Sequence, residues 1–253
     1  MNEQFRLALQ IAEGADPETA ARITDKFEND PTAELILRLD ESGLSLLHED
    51  QKLQGDFTRM LPRLKQHNLT GELLVRAAKI KDADHALLAV DATAGLGEDS
   101  LLLAAAGFHV KLFEKNPVIY ELLRDTLRRA ADIPELSEIV ARMDVQNSDS
   151  VEAMADLGFT PDVILLDPMF PERRKSALVK NKLQMIQKLE IPCVEEAVML
   201  RTAMTANPKK LIVKRPPKGP FLADLKPDHS LSGKAVRFDC FVSPADRLHK
   251  FKF

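Results

Sequence analysis

The stretch LLAVDATAGLGEDSLLLAAAG, residues 87–107, carries three local instructions in a row. Leu87–Ala92 is a short apolar run, the length of a strand buried on both faces. Gly95 and Gly97 follow as a tight turn, since a residue without a side chain reaches positive φ at no steric cost. Asp99–Gly107 is then an apolar run that stops at a glycine, as a buried helix does. Strand, glycine turn and helix together open a parallel α/β sheet. The N-terminus of that helix directs its unpaired N–H groups over the turn.

The alternation continues from there to the C-terminus. HVKLFEK (109–115) reads as a second strand and PVIYELLRDTLRRA (117–130) as an amphipathic helix opened by Pro117. EIVARMDV (138–145) reads as a third strand, DSVEAMADLG (149–158) as a helix and DVILLD (162–167) as a fourth strand. A long helix through KLEIPCVEEAVMLRTAMT (188–205), a fifth strand KKLIVKRP (209–216) and an alternating strand KAVRFDCFV (234–242) complete the series. The expected fold is a mostly parallel sheet with helices on both faces. Upstream the texture changes. DPETAARITDKFE (16–28) and PTAELILRL (31–39) read as short helices, and LSLLHED (44–50) and QGDFTRM (54–60) as a strand pair. LTGELLVRAAKI (69–80) reads as a helix with Thr70 as its N-cap. The division expected is a small α+β N-terminal region, 1–80, followed by the main domain, 81–253.

With 253 residues, 45% hydrophobic and 29% charged, the chain can bury one sizeable α/β core with a smaller appendage. The N-terminus shows no basic start followed by an apolar segment, and no apolar run approaches the roughly 18 residues of a membrane span. Cys193 and Cys240 are far apart, and the six histidines are scattered. A reducing, cytoplasmic setting without a structural metal is therefore expected. The net charge of −4 runs against a general nucleic-acid footprint, but ERRKSALVKNK (172–182) and KKLIVKRPPKG (209–219) are locally basic.

In an open α/β sheet, ligands bind at the carboxyl ends of the strands. After the first strand, Gly95-Leu96-Gly97 is followed by Ser100 where a dinucleotide fingerprint needs a third glycine, so a nicotinamide cofactor fits poorly. Asp91 precedes the turn, and its carboxylate repels a pyrophosphate but suits a cationic ligand. Glu114, 23 residues further on, matches the acid that accepts ribose hydroxyls. A nucleoside with a cationic tail describes S-adenosyl-L-methionine. In VQNSDS (145–150), Asn147, Asp149 and Ser150 suit either an adenine edge or an Asx turn capping the next helix.

LLDPMFP (165–171) ends the fourth strand on an acid followed by Pro168 and an aromatic, Phe170. A nucleobase amine is a weak nucleophile because its lone pair is shared with the ring. It needs oxygen acceptors for its N–H bonds and a flat surface to hold the base. Asp167, the Pro168 carbonyl and Phe170 make such a set, with the gain coming mainly from positioning. Adenine N6, cytosine N4, guanine N2 or a protein amide satisfy it equally. The basic residues Arg173, Arg174, Lys175, Lys180 and Lys182, with Lys214 and Arg215 at the end of the fifth strand, are placed to meet phosphates beside such a base.

DATAGLGEDSLLLAAAG, FEKNPVIYELLRDTLRRA, ILLDPMFPERRKSALVK and VKRP with GKAVRFDCFV together resemble the RsmJ family, bacterial guanine-N2 methyltransferases of small-subunit ribosomal RNA. The resemblance spans roughly residues 50–242. It implies a class I, Rossmann-like methyltransferase fold, S-adenosyl-L-methionine as donor, and a guanine of 16S rRNA, alone or in the small ribosomal subunit, as target. It also implies donor-site roles for Glu98, Asp99, Glu114, Lys115, Asp149, Ser150 and Asp167. Glu98 and Lys115 depart from the family pattern, standing where arginine is found, and His67-Asn68-Leu69-Thr70 stands where a glycine run is usual. The acidic Glu98 leaves a competing expectation of a non-catalytic RNA-binding assembly factor.

Overall fold

The computed structural model of the chain describes residues 6–81, 83–168 and 196–250. Two sheets organise it. The first has the order β1-β2-β3-β4, formed by Leu7–Ile11, Leu35–Asp40, Gly43–His48 and Gln51–Leu53. Helix α1 (Pro17–Lys26) connects β1 to its parallel partner β2. Asp16 accepts the Thr19 N–H at 2.9 Å and caps α1, with Pro17 at its first position.

Two local expectations fail here, each for a visible reason, and one strand is new. PTAELILRL is not helical, because Leu37 and Leu39 are buried and Arg38 between them is exposed, the two-residue period of β2. QGDFTRM is not a strand. Asp56 accepts the Thr58 N–H at 3.0 Å and starts a 3-10 turn, Phe57–Met60. The unanticipated β1 takes the edge beside β2, with Leu7 fully buried.

From Phe57 the chain crosses to the second unit through α2 (Leu61–Leu64), α3 (Gln66–Leu69) and α4 (Leu73–Ala78). Thr70 is not the N-cap of α4: it is the C-cap of α3, its N–H donating to the Gln66 carbonyl at 3.3 Å, and Glu72 stands at the start of α4. Phe57, Met60, Leu69, Leu74, Ala77 and Ala78 are buried in the core of the larger sheet. Lys210 fastens the far end of α4 by donating to the carbonyls of Ala77 (3.0 Å) and Lys79 (2.7 Å).

The larger sheet is built from β5 (Leu88–Asp91), β6 (His109–Phe113), β7 (Met143–Gln146), β8 (Val163–Leu166), β9 (Lys210–Arg215), β10 (His229–Ser232) and β11 (Arg237–Val242). Its order is β10-β11-β9-β8-β5-β6-β7. β5 to β9 are parallel, and β11 inserts antiparallel between β9 and β10. The helices α5 (Glu98–Ala105), α6 (Pro117–Ala131), α7 (Pro134–Val140), α8 (Ser150–Ala155) and α9 (Glu196–Thr205) complete the described α-helices. EIVARMDV divides between α7, which Pro134 opens, and β7; only its last residues are strand. One apolar cluster joins α4, α5 and α7 to one face of the sheet, and another joins α8 and α9 to the opposite face. Every residue of β8 is fully buried, as a strand covered on both sides requires. This is the doubly covered, mostly parallel α/β fold that the alternation predicts.

Candidate active site

β5 has β6 on one side and β8 on the other, so successive crossovers leave it in opposite directions. The crevice between the loops that follow β5 and β8 is where such a sheet opens for a ligand. Both loops carry residues singled out in the sequence, and a hydrogen bond ties them together. The Asp167 N–H donates to Thr93 Oγ1 at 2.7 Å, and the Ala92 N–H donates to the Leu165 carbonyl at 3.0 Å.

The glycine turn is held from three sides. Gly95 and Gly97 have φ of +54° and +77°. A Cβ on Gly97 would lie 2.7 Å from Leu123 Cδ1 and 3.3 Å from Phe57 Cζ, whereas one on Gly95 would find no atom nearer than 4.0 Å. Gly97 thus lets the turn pack against α6, and Gly95 leaves its outer side open for close approach. Asp91 is 2% exposed and accepts the Ser100 hydroxyl at 2.5 Å and the Thr93 N–H at 3.1 Å. Burial pushes its carboxyl up to about 6. Ser100, where a dinucleotide site needs glycine, binds the acid that makes this turn suited to a cation.

Glu114 leaves β6 and reaches back to the same turn, accepting the Gly95 N–H at 2.9 Å and the Asn116 N–H at 2.8 Å. Burial raises it to about 7 against those two bonds. In the loop after β7, Asp149 accepts the Val151 N–H at 2.9 Å, caps α8 and pairs with Lys115 Nζ at 2.8 Å. The capping alternative for Asp149 is therefore realised. Desolvation opposes its charge, yet Lys115 and the Val151 N–H hold it below the ordinary aspartate value. Asn147 is taken by backbone, donating to the carbonyls of Glu114 (2.8 Å) and Lys115 (3.2 Å) while accepting Lys26 Nζ at 2.9 Å. Ser150 is buried at the first position of α8. Ser148, which the sequence did not single out, has a buried Oγ without a hydrogen-bond partner among the described residues. Its own N–H donates to the Glu114 carbonyl at 3.2 Å.

On the other rim, Lys214 at the end of β9 lies between two carboxylates, 2.5 Å from Asp99 Oδ2 and 2.9 Å from Asp167 Oδ2. Burial works against the ammonium, but the two acids together hold its pKa above the ordinary lysine value. Desolvation pushes Asp167 upward and Lys214 opposes it. The Asp167 side chain remains 42% exposed, so its desolvation is partial. The ammonium of Lys214, expected from the sequence to stand beside phosphates, is paired here with these two acids. Arg215 is likewise buried, donating through Nε to the Pro220 carbonyl at 2.9 Å and standing 3.5 Å from Glu196. Glu98 is exposed at the first position of α5. Pro168 directly follows Asp167, and Phe170, Arg173, Arg174, Lys175, Lys180 and Lys182 lie outside the described residues.

Two clefts lie off this crevice. One of about 360 Å³ is lined by Pro62, Arg63, Asn68, Gly71, Glu72 and Leu73, between α2 and α4. Arg63 there is paired with Glu72 at 2.7 and 2.8 Å and also feels the charge of Asp99 and Glu98. The other, about 240 Å³, opens at the N-terminal ends of β5 and β6, remote from the glycine turn. Among the described residues no group of acids, histidines and cysteines is spaced to hold a metal, and no helix is long and apolar enough to cross a membrane.

The residues present fit an adenosyl sulfonium donor. The turn is open at Gly95 and, among the described residues, the acids Asp91, Asp99, Glu114 and Asp167 outnumber the one lysine between them and the Ser148 hydroxyl lacks a partner beside Glu114. Fold and site together define a class I methyltransferase that uses S-adenosyl-L-methionine (SAM). The family model for SAM-dependent methyltransferases matches residues 21–243. Ribosomal RNA small subunit methyltransferase J of Thioalkalivibrio sulfidiphilus is 39% identical over 217 residues, 83% of this chain and 85% of its own. The protein of that name from Pectobacterium atrosepticum is 35% identical over 245 residues, 93% of this chain and 98% of its own. The chain belongs to the ribosomal RNA small subunit methyltransferase J family, the RsmJ family. A crystal structure of a SAM-dependent methyltransferase from Neisseria gonorrhoeae superimposes with a TM-score of 0.74 at 29% identity, covering 93% of this chain and 96% of that one. The rRNA methyltransferase AviRa of Streptomyces viridochromogenes, with a TM-score of 0.50 at 17% identity over 73% of this chain and 87% of its own, shares the fold.

Proposed function

We propose that the chain transfers a methyl group from SAM to the exocyclic N2 of a guanine in 16S rRNA. What supports this reading most directly is the junction of the two loops, with the Asp167 N–H bonded to Thr93 Oγ1 at 2.7 Å in the turn that follows Asp91. That bond sets the acceptor-side acid against the donor-side turn. The named activity of the relatives, ribosomal RNA small subunit methylation, supplies the substrate class, and the sequence resemblance supplies guanine N2.

In this reading Gly95 and Gly97 let backbone approach the donor, and Asp91 and Asp99 provide negative charge for its cationic end. Glu98 and Asp99 open α5 beside it. Glu114, once its carboxylate turns from backbone to ligand, accepts the ribose hydroxyls, while Lys115, Asp149 and Ser150 shape the base end with the Ser148 hydroxyl. When bound, SAM supplies an electrophilic methyl group on sulfur. Asp167 and the Pro168 carbonyl accept the N–H bonds of the target amine, and Phe170 flanks the base. A guanine paired in a helix leaves its stack to reach them. Residues 1–80 form an auxiliary region to the methyltransferase domain, 81–253, and the basic residues Arg173, Arg174, Lys175 and Lys180 grip the flanking phosphates.

The test uses deuterated SAM and purified small ribosomal subunits from a strain lacking the enzyme, followed by mass spectrometry of the digested RNA. Labelled 2-methylguanosine is expected. Label on adenosine or cytidine would retain methyl transfer and discard guanine. Unlabelled RNA after that reaction, with no S-adenosylhomocysteine binding by calorimetry, would turn the reading to an RNA-binding assembly factor.

A further inference from the structure

Lys214 is the described cation that bridges the donor and acceptor sides of the crevice. Asp99 sits in the first turn of α5, directly after the glycine turn, and Asp167 follows β8. The ammonium is 2.5 Å from Asp99 Oδ2 and 2.9 Å from Asp167 Oδ2. An ammonium taken this far out of water requires compensation, and one carboxylate is enough to neutralise it. Two are present, so the trio retains a net negative charge and the cleft stays attractive to a cation.

Asp167 is constrained at two points. Its N–H is held by Thr93 Oγ1 at 2.7 Å and its Oδ2 by Lys214. No donor among the described residues lies on Oδ1. One oxygen is therefore fixed and its twin is available, on a side chain 42% exposed. We propose that Lys214 is a positioning residue for methyl transfer, locking Asp167 so that its second oxygen meets the incoming amine.

The proposal rests on Asp167 as the acceptor-side acid. As the nitrogen lone pair forms the N–C bond, the C–S electron pair remains on sulfur, and the proton shed by nitrogen leaves through the hydrogen bond to Asp167. An oxygen already oriented and ionised avoids reorganisation at that moment. Lys214 supplies both conditions through Asp167, without touching the amine.

The experiment compares wild type, Lys214→Met, Lys214→Arg and Asp99→Asn. Each is assayed for transfer from labelled SAM to small subunits across pH, and for S-adenosylhomocysteine affinity by calorimetry. For Lys214→Met, kcat is expected to fall about 100-fold, with S-adenosylhomocysteine affinity within about threefold of wild type. Its acid limb moves to higher pH, because Asp167 loses the cation that keeps it ionised. Lys214→Arg restores the position of that limb. Asp99→Asn moves it the other way, because Lys214 then serves Asp167 alone, and this variant decides the matter should the methionine variant fail to fold. A Lys214→Met enzyme with kcat within threefold of wild type would overturn the proposal, as would an unmoved acid limb in both Lys214→Met and Asp99→Asn. A wild-type enzyme that leaves the RNA unlabelled sinks the functional reading itself, a result distinct from an active wild type indifferent to Lys214.

Discussion

Asp167 and Glu114 are both carboxylates at strand ends, and their partners give them separate tasks. Asp167 is tied to Lys214 and stands at the mouth of the crevice, whereas Glu114 is drawn into the glycine turn by two backbone N–H groups. Asp167→Ala is expected to lower kcat by at least about 100-fold with S-adenosylhomocysteine affinity nearly unchanged. Near-normal turnover in that variant would place the acceptor site elsewhere. Glu114→Ala should do the reverse first, weakening donor affinity by about tenfold or more through the lost ribose acceptor. Glu114 also marks the stability of the donor-free protein. Its carboxyl is raised from 4.5 to about 7 in the fold, so the unfolded chain releases this proton first. Stability contributed by the neutral acid is full below about pH 4.5 and declines as pH rises through about 7. Thermal melts from pH 4 to 8 should show that decline in wild type, less any opposing groups, and a flatter difference in Glu114→Gln.

The element that positions the donor side is the turn between β5 and α5, and its rigidity comes from what surrounds it. Leu96 packs into the core of the N-terminal sheet, Gly97 touches Leu123 of α6, and Asp91 and Glu114 bind backbone N–H groups of the turn. Gly97→Ala places a methyl 2.7 Å from Leu123 Cδ1 at a φ of +77°. Strain and overpacking together should cost about 2–3 kcal/mol. Chemical denaturation should show that loss, and calorimetry a parallel drop in donor affinity. Gly95→Ala meets no packed neighbour and should cost only about 1 kcal/mol of stability, while obstructing the ligand's approach. A Gly97→Ala variant as stable as wild type would show that the turn repacks freely.

At the scale of the molecule, the N-terminal sheet and the methyltransferase sheet meet along α6. Leu7, Ile23, Leu37, Leu39, Leu44 and Leu46 share one apolar cluster with Leu96, Val118, Ile119 and Leu122. Buried polar contacts flank it. Glu121 binds Arg22 Nε at 2.7 Å and Lys26 Nζ at 3.2 Å, and Asp125 accepts the Leu44 N–H at 2.9 Å and Arg129 Nε at 2.8 Å. Arg129 also donates to the Gly55 carbonyl at 2.6 Å. A shared core and buried ion pairs should make calorimetric unfolding a single cooperative transition. Asp125→Ala strands a buried N–H and a partly buried guanidinium, and should cost about 3 kcal/mol. Two separable transitions in wild type would mean that the halves are energetically independent.

Much of this was legible along the chain because it depends on neighbours in sequence. Short apolar runs identify β5, β6, β8 and β9, the glycines mark the turn, and Pro117 with Asn116 starts α6. Where local signals competed, they misled: LILRL was ambiguous between periods until Leu37 and Leu39 had an opposing sheet, and Asp56 diverted QGDFTRM into a turn. The identities of Asp91, Glu114 and Asp167 were visible from their positions after strands. Their partners were not, since Ser100, Thr93 and Lys214 reach them only once the sheet orders β5 between β6 and β8 and brings β9 alongside. Chain order and residue type were enough for a mostly parallel α/β sheet with acids at its strand ends, and the family resemblance added methyl transfer. The tertiary structure alone decided that Lys214 faces inward between Asp99 and Asp167, because an ammonium's partner is set by which loops converge in space.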